Sequence, residues 1–144
     1  MAAALALVGG GVAAAAQAMP EGTAGPHADG TGTTPLGYDV RPAGDQTTLG
    51  DLPLGSALSP DGSLLLVSND GQGTQSLQVV DTATSKVVQT ISYKKPAGLF
   101  MGLAFSPDGS RAYASGGGDG TIHVYDVAGG RLTEAAPITL PATS

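Results

Sequence analysis

The sequence predicts an all-β chain built from repeated four-stranded antiparallel units, and three observations carry that reading. Gly55-Ser-Ala-Leu-Ser-Pro-Asp-Gly-Ser63 returns 47 residues later as Gly102-Leu-Ala-Phe-Ser-Pro-Asp-Gly-Ser110. Each Ser-Pro-Asp-Gly copy has the residues of a type I turn: Ser opens it, Pro presets φ and Gly tolerates the exit. The third observation is that each turn is followed by the same succession, a short β-rich run, a Gly/Asp loop and a second β-rich run. Four strands per repeat is the count of a β-propeller blade. Two such units are too few for a closed ring of about four to eight blades, so an incomplete ring is expected.

The elements follow in chain order. Residues 1–18 carry no charge and end in Ala16-Gln17-Ala18, the small-x-small pattern of a signal peptidase site, so export to a secreted or extracytoplasmic location is expected. A basic start is missing, since no Lys or Arg precedes Arg41. Three glycines and no flanking positive charge make this stretch a poor membrane anchor, and no stable membrane insertion is expected after processing. Residues 19–50 form a Gly/Pro/Thr-rich linker with too little apolar surface to offset ordering, ending in an entry segment. Within it, Tyr38-Asp-Val40 and Thr47-Thr-Leu49 are candidate short strands.

Residues 51–97 are the first blade, with strands expected near Ser56 to Ser59, Leu64 to Asn69, Ser76 to Asp81 and Lys86 to Tyr93. Residues 98–144 are the second, with Gly102 to Ser106, Arg111 to Ser115, Thr121 to Asp126 and Arg131 to Leu140, the last interrupted by Pro137. Alternation places Leu77 and Val79 on one face and, in the second blade, Ile122 and Val124. Val80 and Tyr125 make the opposite faces partly apolar as well. Strands buried on both faces are what stacking of blades requires.

These residues resemble a family. Arg111-Ala-Tyr-Ala-Ser-Gly-Gly-Gly-Asp-Gly-Thr-Ile-His-Val-Tyr-Asp126, with Ser76-Leu-Gln-Val-Val-Asp-Thr-Ala-Thr-Ser-Lys-Val-Val88 and the two turns, is similar to YVTN-type β-propeller repeats. The signature survives in altered form as Leu66-Val-Ser-Asn69 and Tyr113-Ala-Ser-Gly116. The resemblance covers residues 51 to 140. The run from Pro42 to Gly62 is similar to the entry into the propeller of exported bacterial proteins that carry an alkaline-phosphatase-type phosphoesterase domain after it. That resemblance implies a nucleophile and metal ligands in a later domain, none of which maps onto this chain.

Composition narrows the chemistry. The net charge is −6, and the six basic residues are scattered apart from Lys94-Lys95. No basic patch meets phosphates, so no nucleic acid partner is expected. The chain has no cysteine, which removes disulfides, thiolate nucleophiles and sulfur ligands. Asp61 and Asp108 match in the turns, Asp81 and Asp126 at strand ends, and Asp70 and Asp119 in equivalent loops. A catalytic carboxylate is needed once and a turn residue in every blade, so these read as structural.

His27 lies in the linker and His123 aligns with Gln78. Neither has a second ligand at metal spacing. Gly116-Gly-Gly-Asp-Gly120 lacks the Lys-Ser/Thr of a phosphate loop and leads into a strand, so it reads as a hairpin. No catalytic, cofactor-binding or metal-binding residue and no cofactor is therefore assigned.

The expected function is that of an exported propeller segment acting as a binding or scaffold module without its own catalytic site, ahead of a phosphoesterase domain. The alternatives are a stand-alone propeller binding a protein or small molecule, and a fragment of a lactonase-like propeller enzyme. The partners expected are the remaining blades, downstream or in other copies, and an unidentified protein or small-molecule ligand.

Overall fold

The computed structural model describes residues 23–141. The expected export segment, residues 1–18, lies outside the described residues. The chain divides into two compact units, one up to Gly44 and one from Asp45 onward.

In the first unit, the Gly/Pro/Thr-rich stretch holds three two-residue strands, β1 (Gly25–Pro26), β2 (Gly32–Thr33) and β3 (Asp39–Val40), paired antiparallel in that order. The Asp29 carboxylate shapes the β1–β2 turn by accepting from the Thr31 backbone and hydroxyl, bonds that also hold its pKa below the ordinary value. Thr47-Thr-Leu49 forms no strand.

The second unit is all-β among the described residues, apart from one 3₁₀ turn at Gly117–Asp119. Its first sheet has the order β4 (Pro53–Leu58), β5 (Leu64–Asn69), β6 (Ser76–Asp81) and β7 (Lys86–Ser92). The second runs β8 (Leu103–Phe105), β9 (Arg111–Ser115), β10 (Thr121–Ala128) and β11 (Arg131–Glu134). A last strand, β12 (Ile138–Thr139), pairs with β10 beyond β11, so the outer edge is split at Pro137. Proline has no N–H to give a ladder, which accounts for the break. These two sheets are β-propeller blades, each an antiparallel meander of four positions.

Ser-Pro-Asp-Gly closes the inner hairpin in both blades. Gly62 N donates to Ser59 O and Gly109 N to Ser106 O, both at 2.9 Å. Gly62 and Gly109 have φ of 74° and 71°, a left-handed conformation that explains glycine there. The Asp61 and Asp108 carboxylates lock the turns. Each accepts from the hydroxyl of the opening serine, at 2.6 and 2.5 Å, and from the backbone and hydroxyl of the serine that follows the glycine. These donors hold both carboxyls down at about 2.

The core lies between the blades. Leu64, Leu66, Leu77 and Val79 of the first meet Ala112, Ala114, Tyr125 and Leu132 of the second. We call the face of a blade that covers its successor the trailing face, and the opposite one the leading face. The inner strands come so close that a Cβ on Gly55 would lie 2.9 Å from the Met101 carbonyl carbon and nearer still to its oxygen. Among the described residues no helix is long and apolar enough to cross a membrane.

Candidate functional site

The two blades leave a cleft of about 690 Å³ where their β5–β6 and β9–β10 loops meet the crossover from β7 to β8. Alternation and turn chemistry put these loops at one end. Asp70 to Gln75 and Gly116 to Gly118 form two walls, and Tyr93, Lys95 and Phe100 from the crossover form the floor and rim. Gln75 organises it. Its Nε2 donates to the Asp70 carboxylate, and its Oε1 accepts from Leu99 N at 2.9 Å, which ties the crossover to the first blade's loop.

His123 sits below this crossover, 7% exposed. Its Nε2 lies 3.0 Å from Gly98 O; a carbonyl only accepts, so Nε2 carries the proton. Its ring is tilted at 55° to that of Tyr93, with centroids 4.7 Å apart. Among the described residues, the hydroxyls of Tyr93 and Tyr125 and Oδ1 of Asn69 are buried without a hydrogen-bond partner. Burial pushes the Tyr125 phenol up, and the Glu134 charge adds to the shift.

A second polar link joins the blades at their outer strands. Gln89 of β7 donates from Nε2 to Leu132 O at 2.8 Å and accepts from Leu132 N at 2.7 Å. The side-chain amide thus pairs with a strand backbone as another strand would. The sequence held no signal for this contact, because glutamine in an outer strand reads as a solvated residue.

The carboxylates matched by the repeat take different partners. Asp81 accepts from Thr84 N at 2.8 Å and Thr84 Oγ1 at 2.7 Å, which lowers its pKa, whereas Asp126 forms an exposed ion pair with Arg111 at 3.5 Å. Asp70 is held by Gln75. The Asp119 side chain lies outside the described set. His27 lies in the first unit, where its ring nitrogens contact Thr31 and Thr33 hydroxyls at 3.1 and 3.3 Å. Gly116-Gly-Gly-Asp-Gly120 connects β9 to β10 as a hairpin, closed by Gly116 N to Thr121 O at 2.9 Å. Among the described residues no three His, Cys, Asp or Glu side chains group closely enough to hold a metal ion.

The model of the WD domain, G-beta repeat, matches residues 86–126, from the outer strand of the first blade into the second. No curated protein matches the chain. Among solved structures, a functionally unknown protein from Desulfotomaculum acetoxidans DSM 771 is similar, with a TM-score of 0.54, 18% identity, and coverage of 74% of this chain and 33% of that one. Hydrazine synthase of Kuenenia stuttgartiensis gives 0.50 and 26% identity over 72% of this chain and 27% of that one. A candidate 6-phosphogluconolactonase from Bacteroides uniformis ATCC 8492 gives 0.50 and 18% identity over 76% and 35%. This chain thus spans about a third of the length of the structures it matches. Two blades, a repeat model across their junction and these likenesses together identify the chain as built from β-propeller repeats.

Proposed function

We propose that this chain is the N-terminal section of a larger β-propeller that works as a binding and scaffolding module, completed by further blades downstream or in other copies. The observation that carries the reading is the inequality of two equivalent faces. Leu66 and Leu77 on the first blade's trailing face are fully buried under the second blade. Their counterparts Tyr113 and Ile122 on the second blade are only half-buried, and Ile138, paired with Ile122, is 48% exposed. A face matching one already used for stacking suits another blade.

The finer reading is an exported protein with a phosphoesterase domain after the propeller. Ala16-Gln17-Ala18 supports export, and the run from Pro42 to Gly62 supports the phosphoesterase link. In that reading this chain binds and the later domain does the chemistry. A mature N-terminus at Met19, found by N-terminal sequencing of an exported product, supports the first half; an unprocessed cytosolic product counts against it.

Sedimentation velocity tests the open face. The chain should pair through trailing faces as concentration rises, and Ile138→Asp should return it to a monomer. A wild-type chain that stays monomeric throughout would remove the basis for further blades on this face.

A further inference from the structure

We infer that residues 45–51 are a cap that stands in for a preceding blade on the first sheet. The leading face of that sheet carries Leu65, Val67, Gln78 and Val80, opposite the interblade core. Val67 and Val80 are only 4% and 6% exposed although the second blade covers the other side.

The chain approaching β4 crosses this face. Thr47 Oγ1 donates to Ser85 O at 2.6 Å in the β6–β7 turn. Gly50 N donates to Gln78 Oε1 at 2.9 Å in the middle of β6. The Asp51 and Leu52 carbonyls then accept from Gly71 N and Asp70 N, both at 3.1 Å, in the β5–β6 loop. The anchors run along β6 from one end to the other, and Val80 lies between the first two.

Two of these anchors sit where the second blade receives the first. Asp81 pairs with Lys86 as Asp126 pairs with Thr133, so Ser85 corresponds to Leu132. Leu132 O takes the amide of Gln89, and Ser85 O takes the hydroxyl of Thr47. Gln78 likewise corresponds to His123, which meets Gly98 O as Gln78 meets Gly50 N.

Side-chain volume on the second strand of each blade agrees, whereas on the third strand Val80 is smaller than its counterpart Tyr125. Leu65 and Val67 occupy the positions that Ala112 and Ala114 hold on the second blade's leading face. Small residues admit a whole sheet, whereas larger ones fill the space beneath a single strand of cover. Gly50 fits the cap closely, since a Cβ there would lie 2.8 Å from Asn69 Cγ. With this face occupied, a second copy of the two-blade chain finds only the trailing face open, and the last blade of a completed ring takes the cap's place. The inference rests on blade stacking and not on the identity of any partner.

The absence of native cysteine permits a direct test by single engineered thiols. Val80→Cys reports on the cap and Val79→Cys on the interblade core. In the full chain carrying Thr47→Ala and Gly50→Val, which removes the Thr47 hydroxyl and drives the Gly50 backbone away from Gln78 by a clash with Asn69, maleimide labelling at position 80 should accelerate about tenfold, while position 79 stays unchanged. The same variant should grow past a dimer with concentration, because leading and trailing faces can then meet head to tail. Unchanged labelling at position 80, equal acceleration at both positions, or a variant no larger than its parent would each overturn the proposal.

Discussion

In the first blade the inner strand β4 runs six residues and the outer strand β7 seven without a break. In the second blade β8 runs three, and the outer edge divides into four residues of β11 and two of β12. Yet the turns joining the inner strands to their neighbours share the same hydrogen bonds to within about a tenth of an ångström. The difference separates two kinds of determinant. A turn is satisfied by its own six residues, so it repeats; a face is satisfied by whatever lies against it, so it need not. The first blade accordingly presents Leu64, Leu66, Leu77 and Val79 to its neighbour and receives only a strap on its other side. The second presents Ala112 and Ala114 to the first and leaves Ile138 in solvent.

Substitutions at matched positions can break or sharpen this comparison. The largest contrast is expected at the glycines beginning each repeat. Gly55→Val forces side-chain atoms into the Met101 carbonyl and should cost about 4 kcal/mol, whereas Gly102→Val meets mainly the Ser115 Cβ at 3.1 Å and should cost about 1–2 kcal/mol. Chemical denaturation of both variants measures the gap, and equal losses would mean that the inner strands are not in close approach at Gly55.

Next come the equivalent trailing-face residues. Leu66→Ala opens a cavity in the interblade core and should cost about 3 kcal/mol, while Tyr113→Ala, on the uncovered face, should cost about 1 kcal/mol. If Tyr113 proves as costly, something already covers the second blade in solution.

Smaller again is Gln89→Leu, which strands the Leu132 N–H and C=O and should lower stability by about 1–2 kcal/mol in the same denaturation assay.

The smallest effect is also the one place where the blades should agree. Asp61 and Asp108 titrate near 2 in the folded chain against an ordinary 3.8, so their stabilisation is complete above about pH 4 and is lost as pH falls towards 2. Asp61→Asn and Asp108→Asn should each flatten the fall of melting temperature across that window, and by the same amount. A pH profile altered in only one of them would show that the two turns differ.

Much of the blade architecture was legible because its determinants are local. Leu64–Asn69, Ser76–Asp81 and Arg111–Ser115 coincide with the expected strands, each following a Gly-containing turn or loop and rich in β-branched or alternating apolar residues. β4 begins earlier than expected, at Pro53, because it pairs on one edge only and tolerates a proline as its first residue. β10 extends two residues past Asp126 because Gly129 and Gly130, both with positive φ, make a tight turn into β11.

The candidate cleft and the polar links were not legible. Gln75, Gln89 and Thr47 acquire their roles from partners 24, 43 and 38 residues away in sequence, and nothing in their own neighbourhoods announces those partners. The pairing of β1, β2 and β3 was hidden for another reason. Two-residue strands of Gly, Pro, Thr, Asp and Val offer no periodicity to read.

The Gln89 amide reads only the backbone of Leu132, both N–H and C=O, and nothing of its side chain. The Leu132 side chain lies in the interblade core, so two separate demands fall on this position: the amide accepts any backbone N–H and C=O, and the core asks for an apolar side chain. Copies made by duplication can therefore exchange one apolar residue for another at this position without losing the polar attachment, provided the donor glutamine or an equivalent amide persists. The limits differ: the receiving position can change among apolar residues, and the reaching position must keep its amide.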